Sequence, residues 1–523
     1  MPINTPKNFR FQVVFLAALL SQSAWSQTQP PEPTLDVTRY VVEGDSPLTA
    51  EETTLLLAPF IGEKRKLSDI EAAAGALESA MRERGFSFHR MFVPVQKPVA
   101  GEIRLQVIGI KVSHVEVTGN EHFSSDNIRR SLSNLVEGEV PEVRTLGRDI
   151  TAGNNNPAKQ VTVTFKESAE AGKVDAVVRV KDSPVLVFFA GMSGNQALSD
   201  RNTDQNTYRI TGGVQHANLF DRDHVATLSY TTDPRNTSDV SLFGAYYQVP
   251  FYGTGINLSA YYTQSDISSG TVQQGAGVFE VSGSGKFLGV RLARALPRIN
   301  TLQQTVALAL DDRLFVNKTT FNGATIQPDV GSRVLSLQYL FRNEPTWGEI
   351  AGGIEYLANL SGGANNNEAD HAANGGTKDW NAWRFSLELS KETSAWSYTG
   401  RLKGQYADQA LISGEQFGLG GTNSVRGFAD RVVSGERGYQ WNLEAKGPNL
   451  GGLQLRPVIF ADGGTVHARL TGISETISSA GVGLRFAHRN LQVAADIARV
   501  IDSESTQTGG NPSRLHLGLS YRF

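Results

Sequence analysis

The last ten residues, Arg514 to Phe523 (RLHLGLSYRF), place Leu515, Leu517, Leu519, Tyr521 and Phe523 in alternation with His516, Gly518, Ser520 and Arg522. A side-chain period of two marks a strand that separates an apolar environment from a polar one. The same pattern runs through WSYTGRLKGQY, where Trp396, Tyr398, Leu402 and Tyr406 oppose Ser397, Thr399, Arg401, Lys403 and Gln405. It returns in WRFSLELSK, with Trp383, Phe385, Leu387 and Leu389 against Arg384, Ser386, Glu388 and Ser390. After Pro184 such segments recur to the end of the chain. They predict sixteen strands, starting near residues 185, 206, 224, 238, 253, 278, 301, 333, 347, 379, 396, 435, 453, 476, 491 and 514. Their connections are tight in places (NEPTWGE, FAHRNLQV) and long in others, as in LSGGANNNEADHAANGGTKD and the stretch 409–434.

Residues 35–184 have a different texture. LDVTRYVVEG reads as a strand, and Thr49 and Glu52 stand at capping-box spacing before a helix. Ser68 and Glu71 repeat that spacing before a longer helix whose apolar stripe is Ile70, Ala73, Ala74, Leu77 and Met81, with Gly85 suited to a left-handed exit. FHRMFVPVQKP and GEIRLQVIGI read as strands. The order strand, helix, helix, strand, strand then recurs from KVSHVEVTG onward, which predicts two α+β modules, 35–110 and 111–184.

At the N-terminus, Lys7 and Arg10 precede the short apolar run FQVVFLAALL and the small residues of SAWSQ. This predicts a secretory signal peptide, 1–26, cut after Ser26, followed by a short segment, 27–34. Downstream no stretch is apolar enough for a spanning helix of about 20 residues. A membrane-inserted chain of this kind must therefore be a closed β-barrel, since only helices and closed barrels satisfy every backbone group in lipid. Alternating strands joined by short turns on one side and long loops on the other fit such a barrel. The expected fold is two α+β periplasmic modules followed by an all-β transmembrane antiparallel barrel of about 16 strands over 185–523.

Composition narrows the chemistry. The chain has 523 residues, no cysteine and a net charge of −3, which excludes disulfides and thiolate chemistry and argues against nucleic acid as a partner. Neither G-x-S-x-G nor H-E-x-x-H occurs, and GSGKF near Lys286 lacks the upstream glycine and the hydroxyl of a phosphate loop. No catalytic residue, cofactor or metal site is expected; Asp221, Asp223 and His224 in FDRDH read as a polar turn between strands.

Two motifs carry a resemblance. Val425, Arg426, Gly427 and Phe428 form V-R-G-F in a long loop, and Phe460, Asp462 and Gly464 form F-x-D-x-G on a later predicted strand. Together with the upstream modules, which resemble POTRA modules, they make the chain similar to the two-partner secretion transporters, the hemolysin secretion/activation proteins. By alternation Phe460 and Asp462 share the lumenal face with Gln454, Arg456 and Val458. An arginine in a partly dry lumen calls for a fork-matched carboxylate, so Asp462 can hold Arg426 of a loop folded inward over 409–434.

The resemblance implies an outer-membrane transporter whose periplasmic POTRA modules capture an unfolded partner exoprotein of hemolysin or adhesin type as an added strand, and whose barrel exports it. It implies contact with outer-membrane lipid, and with the barrel-assembly machinery through a signal at Tyr521 and Phe523. Two alternatives remain open at this point, a barrel-assembly insertase of the same superfamily and a passive porin. Some relatives carry an N-terminal plug helix, but the eight residues 27–34 are too few for a helix of lumen length at about 1.5 Å per residue. The plug is therefore expected to be absent. The inferred lumenal face carries Arg209, Arg384, Arg401, Lys403, Lys446, Arg456 and Arg485 against Glu388, Glu444 and Asp462, an expected positive excess.

Overall fold

A computed structural model describes residues 33–198 and 206–523, apart from 236, 238–239, 267–268, 275–276, 318–319, 322–323, 326, 453 and 504–512. The expected signal peptide, 1–26, and most of the segment 27–34 lie outside the described residues.

In the first module, strand Arg39–Glu43 is followed by helices Ala50–Leu57 and Leu67–Glu83 and by strands His89–Phe92 and Glu102–Gly109. Chain order differs from sheet order, because the last strand lies in the middle and runs parallel to the first. Both halves of the Thr49/Glu52 capping box form, at 3.3 and 3.1 Å. The second expected box does not form. The helix already begins at Leu67, so Ser68 lies inside it, and Asp69 accepts the Lys66 N–H at 3.0 Å instead. Ile70, Ala73, Ala74, Leu77 and Met81 are all buried, as their spacing requires.

The second module repeats this order: strand Lys111–Thr118, helices Ser125–Ser131 and Val143–Gly153, strands Lys159–Glu167 and Lys173–Asp182. Its last strand again sits in the middle, parallel to the first and antiparallel to the second. Val112, Val115, Ile128, Leu132, Leu146, Val161, Ala176 and Val178 form its core, which continues into Ala217 of the barrel.

Sixteen antiparallel strands close the barrel: 1 (Leu186–Ala197), 2 (Thr207–Leu219), 3 (His224–Thr232), 4 (Ser241–Phe251), 5 (Ile256–Ser265), 6 (Gly285–Ala295), 7 (Gln303–Phe315), 8 (Val330–Asn343), 9 (Glu349–Leu360), 10 (Asn381–Glu392), 11 (Ser397–Ala407), 12 (Arg437–Lys446), 13 (Leu455–Ala468), 14 (Ile473–His488), 15 (Leu491–Ser503) and 16 (Ser513–Arg522). Strand 16 pairs with strand 1, with Leu517 opposite Gly194, so no edge is left unpaired. The alternation has its expected meaning. Leu517 and Leu519 are 48 and 43 % exposed on the outer wall while His516 is 2 % exposed on the inner.

One start differs by more than a few residues. Val278 was expected to open a barrel strand, but Gly277–Ser282 pairs with Ser269–Gln274 as a separate hairpin, and strand 6 begins at Gly285. A loop hairpin has the same period as a wall strand, so the pattern alone cannot separate them. Connections on the module side are short. Those on the far side are long, except that 469–472 between strands 13 and 14 is a tight turn.

Candidate functional site

The loop between strands 11 and 12 folds into the lumen and carries a small hairpin, Phe417–Leu419 against Val433–Gly435. Its tip sets Arg426 against three carboxylates from three strands. Nε and Nη2 donate to the two oxygens of Asp462 on strand 13 at 2.7 and 3.0 Å, and Nη1 donates to Glu444 of strand 12 and Asp496 of strand 15, both at 3.2 Å. The forked pair is the geometry a guanidinium and a carboxylate share. The Arg426 backbone N–H adds a bond to Asp462 at 3.2 Å. Asp462 is fully buried and Arg426 is 6 % exposed, so the group sits in a low-dielectric site where unpaired charge would be costly.

Each remaining motif residue has a physical task. The Phe460 ring lies under the guanidinium, whose carbon is 3.4 Å from the ring centroid. Gly427 has φ +94°, a left-handed conformation, and its N–H donates to His516 Nε2 at 3.0 Å. Because Nε2 accepts, the imidazole proton resides on Nδ1, which donates to Thr422 Oγ1 at 3.0 Å. Val425 and Phe428 pack with Leu419, Val433, Val466 and Ile477 in a buried cluster. Gly464 leaves the space that Leu419 occupies; a β-carbon there would stand 3.0 Å from both Leu419 methyls and 2.5 Å from the Tyr439 carbonyl oxygen. The inward loop thus brings together all seven motif residues picked out in the sequence.

Sequence reasoning missed Asp496 as an Arg426 partner, Asn442, which donates to Asp462 at 2.9 Å, and the acceptor role of His516. The acid in AADIARV, flanked in the alternation by Ala494 and Ala498, was the available signal for Asp496. Several of the expected lumenal cations have fixed partners. Arg485 meets Asp496 at 2.6 Å, Arg209 meets Asp430 of the loop at 3.1 Å, Arg401 meets Glu388 at 2.7 Å, and Arg456 turns to the Gly447 carbonyl at 2.7 Å. Two of the acids, Asp430 and Asp496, lie outside the set the alternation identified. Beside the loop a cavity of about 880 Å³ remains, lined among others by Arg209, Arg384, Lys403, Gln405 and Arg431.

A second polar cluster joins the second module to the barrel. The FDRDH turn is indeed a turn between strands, and no metal-binding group of acids and histidines occurs among the described residues. Phe220, Asp221 and Asp223 all take positive φ, and the second module braces them. Asn127 donates to the Asp221 carbonyl at 2.9 Å and to Asn218 at 3.1 Å, and the Ser124 hydroxyl donates to the Asp221 carboxylate. Lys159 pairs with Asp223 at 2.6 Å, with side chains 0 and 1 % exposed, and the Tyr252 hydroxyl from the turn between strands 4 and 5 donates to the same carboxylate. Burial and the neighbouring Asp223 charge push the Tyr252 hydroxyl well above its ordinary pKa, so it remains a donor.

Tyr521 and Phe523 face outward at the module-side end of strand 16, their ring centroids 4.7 Å apart, and the Phe523 N–H donates to the Phe188 carbonyl at 2.8 Å.

Residues 35–109 match the ShlB-type POTRA domain. Among curated proteins, the outer membrane transporter CdiB of Dickeya dadantii is 23 % identical over 460 residues, covering 84 % of this chain and 78 % of that protein. The solved structure of CdiB from Escherichia coli superposes with TM-score 0.78 at 17 % identity, covering 96 % of this chain and 93 % of that one. CdiB from Acinetobacter baumannii gives 0.72 at 15 %, covering 97 and 95 %. Residues 191–486, more than half the chain, match the haemolysin secretion/activation protein family ShlB/FhaC/HecB, and the chain therefore belongs to that family of two-partner secretion transporters of the outer membrane.

Proposed function

We propose that this transporter receives an unfolded partner exoprotein, of hemolysin or adhesin type, as an added strand on its POTRA modules and passes it outward through the barrel once the inward loop moves aside. The observation that carries the reading is the Arg426 cluster, which holds the loop in the lumen by a forked, buried ion pair. A path wide enough for an extended chain requires that pair to part, so Arg426, Asp462 and the motif residues packed around them act as a lock. Folding of the emerging partner outside the cell supplies the direction of transport. The outer wall contacts lipid, and Tyr521 and Phe523 serve as the signal read by the barrel-assembly machinery. A passive porin would have no use for a polypeptide-binding module beneath the barrel.

Replacing Arg426 by alanine leaves Asp496 and Glu444 with Arg485 and the buried Asp462 with the neutral Asn442, a loss of about 3–5 kcal/mol for breaking a buried pair. With the cognate partner co-expressed, Arg426→Ala is expected to reduce secreted partner at least tenfold while the amount of heat-modifiable barrel in the outer membrane is unchanged. Undiminished secretion at normal barrel abundance would overturn the lock.

A further inference from the structure

The same loop is attached a second time, with reversed polarity. Eleven residues before Arg426, Glu415 is 1 % exposed and accepts from Arg313 of strand 7 at 2.8 Å, with Arg384 of strand 10 at 3.6 Å. Arg313 is held in turn by Asp311 at 2.7 Å, and Asp311 accepts the Tyr261 hydroxyl of strand 5 at 2.9 Å. An apolar footing accompanies the charges. Ile412 is buried among Leu242, Tyr261, Phe287, Phe315 and Val330, and Gly414 lies so close to the Phe315 ring that a β-carbon there would collide with it. Strand 7, which carries Arg313, and strand 15, which carries Asp496, stand eight apart in a ring of sixteen, on opposite sides of the lumen. Eleven residues of extended chain reach at most about 38 Å, enough to bridge it.

We propose that Glu415 is a counter-anchor: the loop is a crossbar fastened to two facing walls, its acid to a basic wall and its arginine to an acidic wall. The reversed polarity fixes the loop's direction, because exchanging its ends would set Glu415 among carboxylates and Arg426 among guanidinium groups. The two fastenings are unequal. Arg426 makes four side-chain hydrogen bonds, whereas Glu415 Oε1 is buried with no hydrogen-bond partner among the described residues. Glu415 is therefore the end that releases first, and the Arg426 end is the pivot on which the loop swings.

This inference rests on the loop being the barrier to export, and its test separates the two ideas by reading channel opening without a partner. Glu415→Gln keeps the shape and removes the charge; Asp462→Asn does the same at the other wall. In planar bilayers, full-length Glu415→Gln is expected to open about ten times more often than the parent, as loss of one charge-assisted contact implies. The double variant should open more often than either single one. A Glu415→Gln record identical to the parent, with Asp462→Asn opening freely, would overturn the counter-anchor and leave the lock intact. Parental records from both variants would overturn both. Heat-shifted migration is the folding control. Should Glu415→Gln not assemble, Arg384→Gln, which removes only the outer cation, must also raise opening for the proposal to stand.

Discussion

The joint between the second module and the barrel offers the sharpest quantitative test. Lys159 and Asp223 are both sealed from solvent at 2.6 Å, so Lys159→Met leaves a buried carboxylate without its cation. Breaking such a pair from one side costs about 3–5 kcal/mol. Tyr252 and Asn156 still donate to Asp223, which places the loss near the lower figure, about 3 kcal/mol, or roughly two powers of ten in the docking equilibrium. Hydrogen exchange in detergent-solubilised protein reads that equilibrium, because helix Ser125–Ser131 and the turn 218–223 are joined through the Asn127 side chain and undocking exposes both. Exchange in both segments should accelerate together by about a hundredfold in Lys159→Met. Replacing both partners by apolar residues, Lys159→Met with Asp223→Leu, should recover most of the protection, since a buried pair exchanged for hydrophobes is close to neutral. Unchanged exchange in the single variant would refute the assignment of the joint to this pair. Equal loss in single and double variants would show that shape, not charge, holds it.

Two further outcomes follow from the loops. Gly464→Val places branched carbons where Leu419 and the Tyr439 carbonyl already stand, so it should unseat the loop hairpin at a cost of about 1–3 kcal/mol and raise spontaneous channel opening; a silent channel record would count against the packing argument. In the loop between strands 9 and 10, burial holds the His371 imidazole below its ordinary pKa of 6.5, and its Nε2–H donates to the Gly331 carbonyl at 2.9 Å. The unfolded loop then takes up a proton first. Stability is complete above pH 6.5 and falls as the pH drops through that value, so exchange protection across 366–376 should weaken between pH 7.5 and 5.5, an effect that His371→Gln should abolish.

The barrel was legible because its physics is local. Each wall strand reports its two environments through neighbouring residues, and fifteen of sixteen expected starts fall within a few positions of the observed ones. The exception, Val278, lies in a loop hairpin with the same period. The Ser68 cap failed for a different reason. The helix starts at Leu67, so the side chain three residues past the flanking Lys66 is Asp69, which accepts the Lys66 N–H, and a spacing rule does not rank alternative starts. At the site, the Arg426 and Asp462 pair was accessible through the resemblance carried by the two motifs. Asp496, His516 and the Arg313 to Glu415 pair were not, because those contacts join residues 70, 89 and 102 positions apart. Such partners are fixed only when sheet register and the inward path of the loop are both known. The FDRDH turn shows the same limit, its acids being matched to groups in a module that the pattern of the turn itself cannot reveal.

Strands 1 and 16 meet at the one place where the two ends of the wall join, and the loop tip sits astride that place. Gly427 is held by His516 of strand 16, the Phe428 carbonyl accepts from Asn195 of strand 1 at 3.3 Å, and Arg514 of strand 16 donates to that same asparagine at 3.0 Å. A cylinder still lacking its final strand therefore has no complete seat for its stopper. On the lock proposed above, sealing of the pore is tied to completion of biogenesis, and a wall that came apart along this line would lose its closure in the same event.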